Sequence, residues 1–489
     1  MFNKLAALKD NVELKPHQQR VVDKIKDQNN LIVAHDTGTG KTVSSIAAAE
    51  ELGAKPLVLT PASLRDNYAK EGVEKFTDRD YETITSSKDE IDPNKDYRIV
   101  STNLFAKNPE KYIGDRDTLI VDEAHNMRNQ NTKLYRAIRD AKDNFDNRVL
   151  LTASPFNNAP GDLASLLNTA KGQEEYDQTE FNKEYVKPIT EKSGPLSFLG
   201  LGKEDKVGEE FVPDKKVKQD LQQYFDYQEA TGDLPEVEEE VEKVPMTDEQ
   251  FKAYRYAYNQ MPKSVRRAVK KDIVPDKQDN VGFFGAIANA RVASNNPERL
   301  LKESSAKLNK LLEDVDSQSM VYSNFNEHGA QMIEQALEQE GISSARLSGG
   351  MKDSEKTKNV EDFKKGKKDV FVTSPSGKEG ISLPNVKQEI IFDPNWNPEV
   401  TKQAIGRGVR TDSIPDKVKV KRYLAVEPER KWLGFIPRKK KRSVEEWIHS
   451  TAEKKKELQN QVYDYMGGNE MQKEALVQLG MRRIVENGT

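Results

Sequence analysis

The chain of 489 residues contains no cysteine. That absence removes disulfides, thiolate nucleophiles, iron–sulfur clusters and every zinc site built on Cys. Histidine is almost as scarce. His17, His35, His125, His328 and His449 include no pair at helical ligand spacing, which excludes a zinc hydrolase of the H-E-x-x-H kind. Long apolar runs are missing too. Charges recur every few residues from Met1 to Lys15, and no run approaches the ~18 residues a membrane helix needs, so no signal peptide and no membrane partner are expected, and the compartment is expected to be intracellular. Hydrophobic residues reach only 35% and charged residues 32%, yet 77 Lys plus Arg against 81 Asp plus Glu leave a net charge of −4, too small for the self-repulsion of a disordered polyelectrolyte. Near-neutral balance does not exclude nucleic acid, because phosphate binding depends on where cations cluster.

What is present reads as more than one core, since the length corresponds to about two to four domains. Between residues 30 and 170, short runs rich in Val, Ile and Leu alternate with helical patterns, the signature of a parallel sheet covered by helices. Strands are expected at 31–34, 57–60, 98–101, 119–122 and 149–152, with a helix at 42–52 stopped by Gly53. The alternation restarts near 305, with strands expected at 320–325, 344–347, 370–374, 389–392 and 422–426. The fold class is therefore α/β with two doubly wound parallel sheets. Residues 171–300 are polar and poorly periodic. Their acidic run (235–245) and basic run (264–271) read as solvated loop or helix faces. Ser443 and Glu446 are spaced as a capping box opening a last helix.

Three motifs carry chemistry. HDTGTGKT at 35–42 follows an expected strand and opens a helix, the context in which backbone N–H groups cradle phosphates and Lys41 reaches them; His35 stands where the generic pattern has Gly. DEAH at 122–125 puts two carboxylates at a strand's C-terminal edge. Asp122 suits a hold on Mg²⁺, whose inner shell would include the Thr42 hydroxyl and phosphate oxygens, and Glu123 suits orientation and deprotonation of a water. QAIGRGVR at 403–410 places Arg407 and Arg410 three apart, expected on one helix face, where two guanidiniums suit a γ-phosphate.

With these motifs in order, the chain resembles the superfamily 2 helicase-like ATPases with two RecA-like domains, and among them the Swi/Snf-type translocases. ELKPHQ (13–18), LTPASL (59–64), Ser101–Thr102, LTASP (151–155), VYSNF (321–325), RLSGG (346–350), VTSPSGKEGISL (372–383) and DPNWNP (393–398) are similar to the family's motifs in sequence order. DPNWNP and Gln403 point to the Swi/Snf branch. EGISL with WN and GRGVR is closer to the nucleoside triphosphate phosphohydrolases of large DNA viruses and to phage helicases than to chromatin remodellers. Departures are Thr411 and Asp412 after Arg410, where the family often continues I-G-Q, and Ser382, where Asn or Asp is frequent.

The resemblance implies a first ATP-binding domain at 1–170, a linker and helical insertion at 171–300, a second RecA-like domain at 301–430, and a basic loop with a helical extension at 431–489. It implies ATP and Mg²⁺ as cofactors, with Gln18 reading adenine and Thr37, Gly38, Thr39, Gly40, Lys41, Thr42 and Gly380 at the nucleotide. Thr60, Thr102 and Thr373 would touch nucleic-acid phosphates. Arginines from a separate domain would make hydrolysis depend on domain closure. Lys417–Arg442 holds 11 basic and 2 acidic residues, and its run Arg438, Lys439, Lys440, Lys441 and Arg442 is a further candidate backbone contact. The implied activity is ATP-dependent translocation on double-stranded DNA, with transcription or replication machinery as further partners. The alternatives are a strand-separating DNA or RNA helicase and a polymerase-binding factor with weak ATPase.

Overall fold

Strands buried on both faces read as near-continuous apolar runs, and the first five expected strands are of that kind. The computed structural model describes residues 8–10, 12–157, 159–193, 203–230, 234–273, 280–295, 305–375, 381–410, 413–432, 436–437 and 440–467. The chain divides into two units, one holding Met1–Lys187, Glu210–Thr231 and Leu458–Thr489, the other Pro188–Glu209 and Gly232–Glu457.

In the first unit, β1 (Asn30–His35), β2 (Pro56–Thr60), β3 (Tyr81–Ile84), β4 (Tyr97–Ser101), β5 (Thr118–Val121) and β6 (Asn147–Thr152) are parallel. After a separate two-stranded pair, β7 (Val186–Ser193) and β8 (Lys203–Phe211), the chain adds β9 (Phe225–Gln228), giving the order β3-β4-β2-β5-β6-β1-β9. Successive side chains serve opposite faces. Leu31 and Val33 join one buried cluster with Val21 and Ile46, while Ile32 and Ala34 join another with Leu166 and Phe225. The strands β3 and β9 escape the sequence reading because YETI and FDYQ lack an apolar run.

The second unit holds β10 (Glu236–Pro245), β11 (Ser319–Tyr322), β12 (Ser344–Leu347), β13 (Val370–Thr373), β14 (Gln388–Ile391) and β15 (Lys417–Val426), all parallel, in the order β10-β15-β14-β11-β13-β12. Here one expectation is corrected: the acidic run is neither loop nor helix but the edge strand β10. It pairs along its length with basic β15, Glu236 beside Lys417, Glu238 beside Lys419 and Glu240 beside Lys421. Lys417 Nζ lies 3.1 Å from Glu238 Oε2, and Arg422 pairs with Glu239. Opposite charges across neighbouring strands supply the stabilisation that apolar alternation supplies elsewhere. The span 171–300 is thus shared, β9 lying in the first sheet and β10 in the second.

The basic run forms the helix Lys263–Lys271, whose Val265, Ala268 and Val269 are buried with Phe251, Tyr254 and Trp447. The helix Val444–Tyr465 opens on the expected box: Ser443 N–H donates to Glu446 Oε2 (2.9 Å) and Glu446 N–H to Ser443 Oγ (3.1 Å). No helix among the described residues is long and apolar enough to cross a membrane.

Candidate active site

The phosphate loop leaves β1 at His35 and enters α2 (Lys41–Glu51) through Gly38 and Gly40, with φ of +83° and +84°. Gly40 is required by its backbone. Its φ disfavours any side chain, and a Cβ there would stand 2.6 Å from Gln18 Nε2, so the amide of Gln18 on the helix α1 (Pro16–Gln28) would have to move from the position in which it meets the loop. Gln18 Nε2 donates to the Thr39 carbonyl (3.3 Å), which also lies 2.8 Å from His17 Nε2. Thr37 and Gly38 are exposed, Thr42 is half-buried, and Lys41 Nζ donates to the carbonyls of His35 (3.0 Å) and Asp36 (3.1 Å). A phosphate entering this loop would replace those carbonyls as the lysine's partner.

Asp122 and Glu123 follow β5 at its C-terminal edge. Burial, then the neighbouring Glu123 charge, push the Asp122 carboxyl up to about 6. Burial would raise Glu123 as well, but His125, whose Nδ1 lies 3.0 Å from Glu123 Oε2, and Lys41 hold it below the ordinary glutamate value. Two adjacent carboxylates are thereby pushed apart, the arrangement that assigns different roles to like groups. Glu123 is also held at φ 51°, ψ 50°, a left-handed conformation that costs a non-glycine residue about 1–3 kcal/mol. The donor chemistry fits Mg²⁺. Asp122 is a hard oxygen donor whose crowded charge a cation would relieve, and no cluster of three or more His, Cys, Asp or Glu among the described residues could hold a metal by itself, so the nucleotide's phosphates would complete the shell.

The raised Asp122 pKa has a stability consequence. An unfolded Asp ionises near 3.8 and the folded one near 6, so stability falls as pH rises between these values and the cost is complete above them. Asp122→Asn is therefore expected to stabilise the nucleotide-free, metal-free protein at pH 8 by on the order of 1–3 kcal/mol, and the advantage should vanish toward pH 4. Thermal unfolding in chelator at both pH values measures it; an equal or lower melting temperature at pH 8 would refute it.

Thr60, expected at a nucleic-acid phosphate, is fully buried and its hydroxyl donates to Asp122 Oδ2 (3.0 Å). Thr102 is half-buried in the first turn of the short helix Thr102–Phe105.

A cluster missed by the sequence reading braces the loop from behind. Asp226 on β9 is fully buried and meets His35 Nε2 at 2.6 Å, Arg20 Nε at 2.7 Å and Lys24 Nζ at 3.0 Å. Burial would raise the Asp226 pKa, but His35, Arg20 and Lys24 outweigh it and hold the carboxyl well below the usual range. Burial depresses His35 against the pull of Asp226, so the neutral ring donates its Nε2–H. One carboxylate thus ties the first residue of the phosphate loop to α1, two residues beyond Gln18. The one signal available was His35 in place of Gly, and nothing in the sequence named a partner so far along the chain.

In the second unit, Arg407 and Arg410 are not on a helix, contrary to expectation: the helix Pro398–Ile405 ends before them. The chain turns because the Gly408 N–H reaches the buried Glu389 carboxylate (3.1 Å) and Ser413 Oγ donates to the Gly408 carbonyl (2.6 Å). A side chain at Gly408 would collide with Glu389 and Val386. Burial pushes the Glu389 carboxyl well above its usual range, against the Gly408 hydrogen bond and the Arg407 charge. Arg407 Nη1 donates to Thr373 Oγ1 (2.8 Å), and Thr373 is fully buried. Asp393, first residue of DPNWNP, is a buried hub accepting from Ser323 Oγ (2.6 Å), Asn324 Nδ2 (2.6 Å) and Arg291 Nη2 (3.1 Å). Of the basic run, Lys440 and Lys441 are exposed and Arg442 pairs with Asp272 (2.6 Å). Gly380, Arg438 and Lys439 lie outside the described residues.

Known proteins are similar to this chain along most of its length. A protein of Acanthamoeba polyphaga mimivirus, named as an ATP-dependent RNA helicase, is 26% identical over 477 residues, covering 92% of this chain and 96% of its own. The Bacillus subtilis ATP-dependent helicase YqhH is 26% identical over 423 residues, covering 80% of this chain and 72% of its own. Among solved structures, the Sulfolobus solfataricus SWI2/SNF2 ATPase core in complex with dsDNA is 19% identical, with a TM-score of 0.40 over 85% of this chain and 88% of that one. The model of the helicase conserved C-terminal domain matches residues 303–412, and that of the SNF2-related domain matches residues 11–299, more than half of the chain. With the phosphate loop, the unequal carboxylate pair and the arginine turn all inside those spans, the chain belongs to the SNF2-related family of superfamily 2 helicase-like ATPases.

Proposed function

We propose that this ATP-hydrolysing protein is a duplex-DNA translocase whose turnover depends on DNA. The observation that carries the chemistry is the carboxylate pair behind the phosphate loop, one carboxyl raised and one lowered beside Lys41. In this reading Gln18 reads adenine and the backbone of Thr37–Thr42 cradles the phosphates. Thr42 and Asp122 hold Mg²⁺, which when bound offsets phosphate charge. Glu123 takes the proton of the attacking water, and Arg407 and Arg410 meet charge developing on the γ-phosphate. Duplex DNA as the track is supported by DPNWNP and Gln403, the Swi/Snf-type features, and the Asp393 hub explains why the first of those residues is Asp. Transcription or replication machinery is the proposed wider setting.

RNA is the second reading, favoured by the name of the mimivirus relative. Two assays separate them. A duplex translocase should strip the third strand from a triplex with ATP while leaving the underlying duplex paired, and its ATPase should respond to duplex DNA more than to RNA. Efficient separation of a tailed duplex without triplex displacement would overturn the translocase reading.

A further inference from the structure

Residues 270–271 and 440–442, from two charge runs far apart in sequence, meet in the second unit. There they line a cavity of about 540 Å³. One wall is the helix Lys263–Lys271. Because Val265, Ala268 and Val269 take its buried face, Lys270 and Lys271 stand exposed at its end. The opposite wall is Lys440, Lys441 and Arg442, and Lys243 at the end of β10 completes the lining. Against these six cations the cavity presents three carboxylates, all engaged locally: Asp272 with Arg442 (2.6 Å) and Lys454 (3.1 Å), Glu446 with Lys243 (3.3 Å), and Glu427 with the Lys441 backbone N–H (3.1 Å).

A second, smaller cavity lies beside the first and shares Glu427, Lys440 and Lys441 with it. It adds Arg255 and Arg430, the latter with its guanidinium 4.4 Å from the Phe251 ring centroid. The cations of β15 are different in kind, since β10 lies against them and Lys417 and Arg422 are matched by its glutamates. The basic excess of this unit therefore gathers where no acidic strand covers it.

We propose that this basic groove is a second binding site for the phosphate backbone of duplex DNA, outside the motif residues; the proposal rests on the DNA-motor reading above. The occupant follows from the chemistry of the walls. Lysines are point charges on flexible stems and make no demand for a planar, bidentate partner, which suits repeated phosphates met without regard to sequence. The extended, two-lobed basic surface matches a polyanion better than a single small anion. Lys440 reaches the exposed Glu429 (3.2 Å), a pair that an incoming phosphate can displace at little cost, and the buried Asp205 reached by Lys271 (2.8 Å) is also paired with Arg267.

The test uses the full chain and a labelled duplex oligonucleotide across a salt series, read by fluorescence anisotropy without ATP. Each neutralised phosphate contributes a slope of about −0.9 in log affinity against log salt. Lys270→Gln with Lys271→Gln on one wall, and Lys440→Gln with Lys441→Gln on the other, should each flatten the slope by up to about 2 and weaken binding several-fold at moderate salt. The matching Lys→Arg variants should keep the wild-type slope, and basal ATPase without DNA should be unchanged in all of them, which excludes misfolding as the cause. If either wall's Gln pair keeps wild-type slope and affinity while the wild type binds duplex, the groove proposal is overturned and the motor reading stands. A wild type that neither binds duplex nor responds to it overturns both.

Discussion

Glu123→Gln is expected to bind ATP and to lose turnover by about 10² to 10⁴, the scale of a positioned general base. The amide keeps the shape of the carboxylate but cannot accept a proton from water. The structure adds a reason to single out Glu123 from its neighbour: His125 and Lys41 keep it ionised at neutral pH, whereas burial and the Glu123 charge raise Asp122. The left-handed backbone at Glu123 stores strain at this same residue, as sites that hold a catalytic group in a set direction often do. Lys41→Ala should behave differently and lose binding as well as turnover, since its ammonium is the cation at the loop. Steady-state ATPase at saturating ATP and duplex DNA, with nucleotide binding measured separately, distinguishes the two variants. Wild-type turnover in Glu123→Gln would remove this residue from the general-base role.

The second large effect is expected at Arg410. Its replacement by Ala should lower kcat by about 10³ to 10⁵, the range associated with arginines that meet transition-state charge, with little change in nucleotide affinity. Arg407 is the less direct probe of the two arginines. Arg407 also holds the buried Thr373 hydroxyl, so its removal would disturb β13 together with any chemistry. Arg410 instead follows the Gly408 turn, with its backbone N–H on Ser413 Oγ (2.9 Å). An unchanged kcat in Arg410→Ala would make this arginine a surface charge and leave the arginine turn without a part in hydrolysis.

Local signals that coincide with tertiary roles were readable in advance. The five central strands of the first sheet announce themselves because strands covered on both faces are continuously apolar. The phosphate loop is readable because a left-handed backbone demands Gly38 and Gly40, and the last helix because Ser443 and Glu446 satisfy one another three residues apart. Other elements have no such mark. The strand β10 is rich in glutamate and resembles a solvated run until basic β15 lies beside it, since its stabilising partner is a strand about 180 residues away.

The sequence by itself determined the α/β class, the order of the motifs and the identity of Lys41, Asp122, Glu123, Arg407 and Arg410 as the groups to consider, because residue type and short spacing specify those features. Only the tertiary structure decided what surrounds them. It put the buried hydroxyls of Thr60 and Thr373 on Asp122 and Arg407. It ended the arginine helix at Ile405, brought Asp226 under His35, and set Lys270 across a groove from Lys440. The reason is physical: burial, hydrogen-bond partners and the field at a charged group depend on atoms that come together only on folding, however far apart they lie along the chain.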